Sequence, residues 1–265
     1  MLTTISYKPF LILLGSLWLC TACISDNTET TSSDDFFVSP KQGPISDDLF
    51  DIKRLVQVDI QMPANDFETL RNEGRTLDTV FSECPSTDFE YSSFIATATI
   101  DGEKAENIAI RKKGYLGSVS SNRPSIKLNY DTHEEGRTFK TVKRVTLNND
   151  RQDPGHTHQC MAYDLFRDAG LIAPRCNLAQ LRVNGEYLGI YTNIESIKKP
   201  FLLRNYGDDS GNLYEAQIAD FGSNLNDKFE LKTNKEVPDR SDLLEVSNAL
   251  LLEDAELLAQ LPLLI

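Results

Sequence analysis

The feature that most limits the folds open to this chain is a pair of alternating runs, residues 178–183 and 187–195, joined by Asn184-Gly185. Asn-Gly supplies the two positive-φ positions that a tight two-residue turn requires, so the pair predicts a β-hairpin. On the second run Tyr187, Gly189, Tyr191, Asn193 and Glu195 face one way, with Leu188, Ile190 and Ile194 opposite.

The same alternation recurs upstream. In residues 55–62, Val56, Val58 and Ile60 are separated by polar side chains, which predicts a half-buried strand ended by Pro63. Residues 65–72 read as a short helix with Phe67 and Leu70 on one face. Strands are predicted at 94–100 and 108–113 around Asp101-Gly102, with a loop that extends to residue 107. In residues 125–130, Ser125, Lys127 and Asn129 share one face while Ile126, Leu128 and Tyr130 share the other, so Lys127 projects from a polar face whose back is packed. A further strand covers 142–148. Asp153-Pro154 then announces a helix reaching Ala169 and stopped by Gly170, with Met161, Leu165 and Phe166 as its buried stripe. Past the hairpin come a short helix at 199–205, strands at 213–216 and 229–232, and a helix at 239–252 carrying Leu243, Leu244, Ser247, Leu250 and Leu251 on one stripe. The final LLAQLPLLI is apolar without a resolved pattern.

The N-terminal residues carry a different signal. One basic residue, Lys8, precedes an apolar run from Phe10 to Leu19 that is shorter than the roughly 20 residues of a spanning helix, so residues 1–23 read as a secretory signal. Thr21 and Ala22 before Cys23 suit lipoprotein cleavage, with Cys23 as the lipidated residue; the alternative is ordinary cleavage near Ala22 and a secreted protein. Residues 24–52, rich in Ser, Thr and Asp, read as a disordered tether to a domain over 53–265. A net charge of -13 argues against nucleic acid, whose phosphates reward clustered Lys and Arg, and against electrostatic docking on anionic lipid. The membrane partner is then reached through the lipid anchor, and the predicted location is the cell envelope or the exterior.

With Cys20 in the signal and Cys23 lipidated, Cys84, Cys160 and Cys176 remain; an exported chain permits one disulfide among them, and the pairing stays open. His156, His158 and Cys160 invite a zinc reading, but on a helix start only His156 and Cys160 share a face, so a polar first turn is expected and no metal site.

The runs IAIRKKGYLGS, RPSIKLNYD, VTLNNDRQDP, CMAYDLFRDAGLIAPRC, VNGEYLGIYTNIESIKKPFL and GDDSGNLYEA, in this order and spacing, resemble the CotH kinase family of secreted or surface-associated atypical kinases over about residues 55–250. The resemblance implies an α+β fold, the N-terminal part of a divergent protein-kinase-like architecture, with a mostly antiparallel sheet and a few packed helices. It implies ATP and Mg²⁺ as family cofactors, and phosphoryl transfer to Ser or Thr of an exported protein substrate. Such chemistry needs a cation on the phosphates, an acid fixing that cation, a carboxylate for the acceptor hydroxyl, and metal ligands. Lys127, then Lys113 or Arg111, is the expected phosphate contact, with Glu195 as the acid that pairs with Lys127; the alternatives are a solvated sheet-face lysine and a Glu195 pair with Lys198 or Lys199. Gly114 and Gly117 bear a loop that covers phosphates or merely turns, and Asn148-Asn149 orient polar groups or merely end their strand. The family's metal-binding and catalytic acids lie in Trp-Asp motifs, yet Trp18 is the only Trp here, and Glu215 stands where many relatives carry Lys. The expectation is a chain truncated before the catalytic part and inactive by itself; the alternative is a non-catalytic surface-anchored binding or structural module.

Overall fold

The computed structural model describes residues 48–74, 89–114, 119–216, 221 and 229–264, with side chains placed through residue 260. The predicted signal, Cys23, Cys84 and residues 115–118 of the glycine-bearing loop lie outside the described residues.

Seven strands close into a barrel: β1 (Leu55–Gln61), β2 (Ser93–Ile100), β3 (Glu103–Lys113), β4 (Ser125–Asn129), β5 (Arg144–Asn148), β6 (Cys176–Val183) and β7 (Glu186–Glu195). Their order around the barrel is β1-β2-β3-β4-β5-β7-β6. Every neighbouring pair is antiparallel except the one that closes the ring, β1 beside β6, which runs parallel from Leu55↔Leu178 to Ile60↔Val183. The mostly antiparallel sheet expected from the sequence is present, but it is not a simple sheet: it closes into a barrel. An open sheet leaves two rows of unpaired N–H and C=O groups, and joining β1 to β6 satisfies both rows at once. Alternation along a single strand cannot reveal this, because it reports which face is buried and not which strand is the neighbour.

The inward faces follow period 2. Val56, Val58 and Ile60 on β1 meet Ala98 and Ile100, Ile108 and Ile110, Ile126 and Leu128, Val145 and Leu147, and Leu181 and Val183 in one buried core. Each fully buried aliphatic side chain contributes roughly 1.5–3 kcal/mol, so the interior is the main source of stability. Two tight turns set the registers. Asp101-Gly102 and Asn184-Gly185 each place both central residues at positive φ, and β3 starts at Glu103, before the start at residue 108 that the sequence suggested.

The barrel mouth beside β6 and β7 is plugged by a 3₁₀ turn, Asp48–Phe50, whose Leu49 and Phe50 are buried in the core. Asn193 donates to the Leu49 carbonyl at 2.8 Å and to Asn177 Oδ1 at 2.8 Å, and Asn177 donates to the Asp51 carbonyl at 2.9 Å. Packing thus reaches back to residue 49, within the stretch read as tether.

α1 (Ala64–Asn72) buries Phe67 and Leu70. Lys112, buried on the inner side of β3, donates to the Arg71 carbonyl at 2.6 Å and to the Glu73 carbonyl. An ammonium on the last carbonyls of a helix satisfies acceptors that the helix itself leaves open.

α2 (His158–Asp168) starts five residues after Asp153, later than predicted. His156 sits at φ 53°, which breaks the helical path, and Asp153 Oδ2 instead accepts from the amides of Thr157 and His158, each at 2.8 Å. The helix also turns a different face inward. Cys160 is buried in a second cluster with Cys176 and Ile194, Tyr163 packs against it, and Met161, Leu165 and Phe166 are exposed. A disulfide, Cys160–Cys176, fixes that orientation and resolves the open pairing. Beyond the barrel lie α3 (Lys199–Tyr206), the two-stranded β8 (Tyr214–Ala216) and β9 (Phe229–Leu231), α4 (Ser241–Ala249) and α5 (Asp254–Leu264).

Candidate functional site

The outer surface of β3 and β4 gathers the predicted phosphate contacts. Arg111 pairs in register with Lys127, Lys127 with Thr146 on β5, and Lys113 with Ser125. Directly opposed residues on neighbouring strands point the same way, so Arg111, Lys113 and Lys127 rise from one face. One position along, Ile110, Leu128 and Val145 fill the barrel interior behind them.

Three like charges on one half-buried face perturb one another. Burial pushes the Lys127 amine down from 10.5 to about 8, with Arg111, Lys113 and Lys198 acting in the same direction and Glu215 opposing them. Lys113 is lowered by burial, against the pull of Asp150 and Glu215. Lys198 is lowered by burial and then by Arg144 and Lys232. Among the described residues none of Arg111, Lys113, Lys127 and Lys198 makes an ion pair, while Glu215, whose charge acts on Lys113, Lys127 and Lys198, is held by Lys232 at 2.7 Å. A cation whose charge is penalised by burial and left uncompensated stabilises an incoming anion strongly, since the attraction acts in a partly desolvated setting.

Glu195 is not the partner of Lys127. Val145 pairs with Glu195 and Thr146 with Ile194, so the register places Glu195 on the inward face and Lys127 on the outward one. The carboxylate is 3% exposed and is taken by two arginines. Arg175 reaches Oε1 through Nη2 at 2.8 Å and Oε2 through Nε at 3.1 Å, while Arg204 of α3 reaches Oε2 through Nη2 at 2.6 Å. Neither Lys198 nor Lys199 supplies its counter-charge. This two-arginine clamp fastens α3 to the barrel, and the sequence reading missed both cations.

Asn148 and Asn149 tie off the ends of β4 and β5. The Ser125 hydroxyl donates to Asn148 Oδ1 at 3.2 Å, the Asn149 amide donates back to the Ser125 hydroxyl at 3.0 Å, and the Asn149 side chain donates to the Arg123 carbonyl at 2.6 Å. In the HTHQC run, Cys160 is spent on the disulfide, and His156 and His158 bond different carboxylates, Asp150 at 2.8 Å and Asp153 at 3.1 Å. No group of three His, Cys, Asp or Glu side chains converges as metal ligands would among the described residues. No helix among them is long and apolar enough to cross a membrane.

Comparison with known proteins places this geometry in a lineage. The chain is 26% identical over 102 residues to the inner spore coat protein H of Bacillus subtilis (strain 168), a match covering 38% of this chain and 28% of that protein. The matched part is therefore little more than a quarter of the relative. The family model described as CotH kinase protein matches residues 110–260, which runs from the end of β3 past α4 and takes in every cation of the outer face. With more than half of its length in that match, the chain belongs to the CotH kinase protein family.

Proposed function

We propose that the outer face of β3 and β4 holds the phosphates of ATP, with Lys127 as the principal contact and Arg111 and Lys113 beside it, in a CotH-like homologue of atypical protein kinases. The observation that carries this reading is the set of half-buried cations without an ion-pair partner among the described residues, headed by a Lys127 amine pushed to about 8. A triphosphate supplies the missing counter-charge and restores the ordinary basicity of the amine. The kinase-like relationship of the whole fold, and transfer to Ser or Thr of exported proteins, rest on the family resemblance.

Transfer itself demands more than phosphate binding. It needs Mg²⁺ ligands and a group that orients the acceptor hydroxyl. The described residues present no metal-ligand cluster, and neither Trp-Asp motif occurs in these 265 residues. The reading for these residues is nucleotide binding, with the metal-holding and acceptor-orienting roles assigned to none of them.

Titration with ATP tests the reading. Saturable binding that Lys127→Ala weakens about tenfold, a loss of roughly 1.4 kcal/mol, supports it. No saturation by a folded protein sinks it and favours the second reading, a non-catalytic surface module. That alternative draws on the exposed apolar face of α2, where Met161, Leu165 and Phe166 await a partner.

The cellular setting belongs to the same proposal. The signal-like residues 1–23, Cys23 in a lipoprotein context, a disulfide of the kind oxidising compartments permit, and a relative named for the spore coat together support export and lipid anchoring at the envelope. Mass spectrometry of the mature N-terminus tests it: a diacylated Cys23 is expected, and an intact Met1 refutes it.

A further inference from the structure

The segment between β5 and α2 folds into a pocket of about 350 Å³ lined by Ser120, Arg123, Asn149, Asp150, Arg151 and His156 among others. Its back wall is fixed. Asp150 Oδ2 accepts from the Thr192 amide at 3.0 Å and the Thr192 hydroxyl at 2.6 Å, and lies 2.8 Å from His156 Nδ1. A carboxylate oxygen that already accepts twice accepts again from the ring, which assigns the proton to Nδ1 and leaves Nε2 without a partner among the described residues. Asp150 and His156 both adopt positive φ, at 49° and 53°, a conformation in which Asp and His are enriched. This bends the chain so that the two side chains meet across six positions.

Two guanidinium groups complete the wall. Arg123 lies over the Tyr191 ring at 5.3 Å and donates through Nη2 to the Ile190 carbonyl at 2.5 Å, yet its buried Nε has no hydrogen-bond partner. Arg151 is exposed and anchored by one donor to the Val119 carbonyl, which leaves further donors of its fork uncommitted. With Asp150 satisfied by Thr192 and His156, the pocket presents an excess of positive charge, a hydroxyl at Ser120 and an imidazole nitrogen.

We infer that this pocket is a phosphate-group site, built on residues other than those of the nucleotide face, in which Arg123 and Arg151 neutralise the anion and a P–OH of the anion donates to His156 Nε2. Guanidinium forks match tetrahedral oxyanions through paired donors, and a cavity of this size accommodates a substituent on the phosphate as well as the free ion. The site stands on residues other than Lys127, so it survives failure of the ATP reading.

The test is a titration of the ¹⁵N-labelled protein with inorganic phosphate against sodium chloride at matched ionic strength, following the ring resonances of the three histidines. A saturable shift of the signal that His156→Gln removes is expected, with O-phosphoserine as a second probe. Saturation by phosphate alone identifies a free-ion site, and saturation by both identifies a phosphomonoester site; either supports the proposal. Arg151→Gln, at an exposed position the fold tolerates, should weaken binding about tenfold, the loss of a charge-assisted contact. Lys127→Ala should leave it unchanged. No saturable shift at His156 in the unmodified protein, or abolition of the shift by Lys127→Ala, overturns the site.

Discussion

Glu195 and Lys127 lie on opposite faces of the same sheet, one turned to the barrel mouth with Arg175 and Arg204, the other to the outer cationic surface. The acid and the amine therefore sit in different settings: the first holds architecture, and the second stands on the half-buried outer face without an ion pair among the described residues.

Removing the acid should be costly. Glu195→Ala leaves two buried guanidinium groups without their counter-charge, and breaking a buried pair in this way costs roughly 3–5 kcal/mol. Urea unfolding measures it. A loss below about 1 kcal/mol means that water or other acceptors replace the carboxylate readily.

Lys127 gives a pH signature with a definite sign. Its amine titrates near 8 in the folded chain, against an ordinary 10.5. Below about 8 both the folded and unfolded chains carry the proton, and folding bears the full penalty of the buried charge. Between about 8 and 10.5 the unfolded chain binds more protons, so stability should rise with pH across that window. Lys127→Met should flatten the rise. ATP affinity should move the other way, falling as pH passes about 8 and the amine loses its charge. Denaturation midpoints and nucleotide titrations from pH 7 to 10 check both directions, and a wild-type profile identical to that of Lys127→Met contradicts the assignment.

Much of this was legible in the residues, and the exceptions have physical causes. All seven barrel strands were located, by alternation in residues 55–62, 125–130 and 187–195 and by the Asp-Gly and Asn-Gly turns for their hairpins, because both signals are local. The partner of Glu195 was not legible. Continued straight from Arg182↔Tyr187, the hairpin sets Pro174 opposite Glu195, but a bulge between Leu181 and Arg182 shifts the ladder by one and brings Arg175 there. The bulge also turns Leu188 into the core, although simple alternation put Leu188 with Ile190. The face of α2 was misread for a related reason. Apolar content favoured Met161, Leu165 and Phe166, while the covalent bond from Cys160 to Cys176 decides which side meets the barrel. The outer cationic face was half visible: alternation exposed Lys127, but only the register of β3 against β4 puts Arg111 beside it.

The disulfide closes a 16-residue separation between α2 and β6. Cross-linking a loop of that size stabilises by about 3 kcal/mol in the chain-entropy picture. The paired variant Cys160→Ser/Cys176→Ser should lose that amount in chemical unfolding, and reductant should have no effect on the variant while lowering the midpoint of the parent. Equal midpoints for parent and variant show that the helix is held by packing alone.

Two glycines at positive φ should respond differently to alanine. At Gly185 (φ 85°) a Cβ meets nothing within 4 Å, so the cost is the backbone term alone, about 1 kcal/mol. At Gly189 (φ 110°) a Cβ lies 3.4 Å from both Nε and Nη2 of Arg123, so Gly189→Ala adds displacement of that guanidinium. Thermal unfolding should rank Gly189→Ala as the more harmful, and equal losses remove the steric argument.

Because the ring is sealed by β1 lying alongside β6, the first strand made has to wait unpaired on that edge until more than a hundred later residues have emerged. A chain that emerges N-terminus first thus cannot finish its interior early, and its leading strand keeps one open edge until then. The last hairpin, and not the first, is the latch.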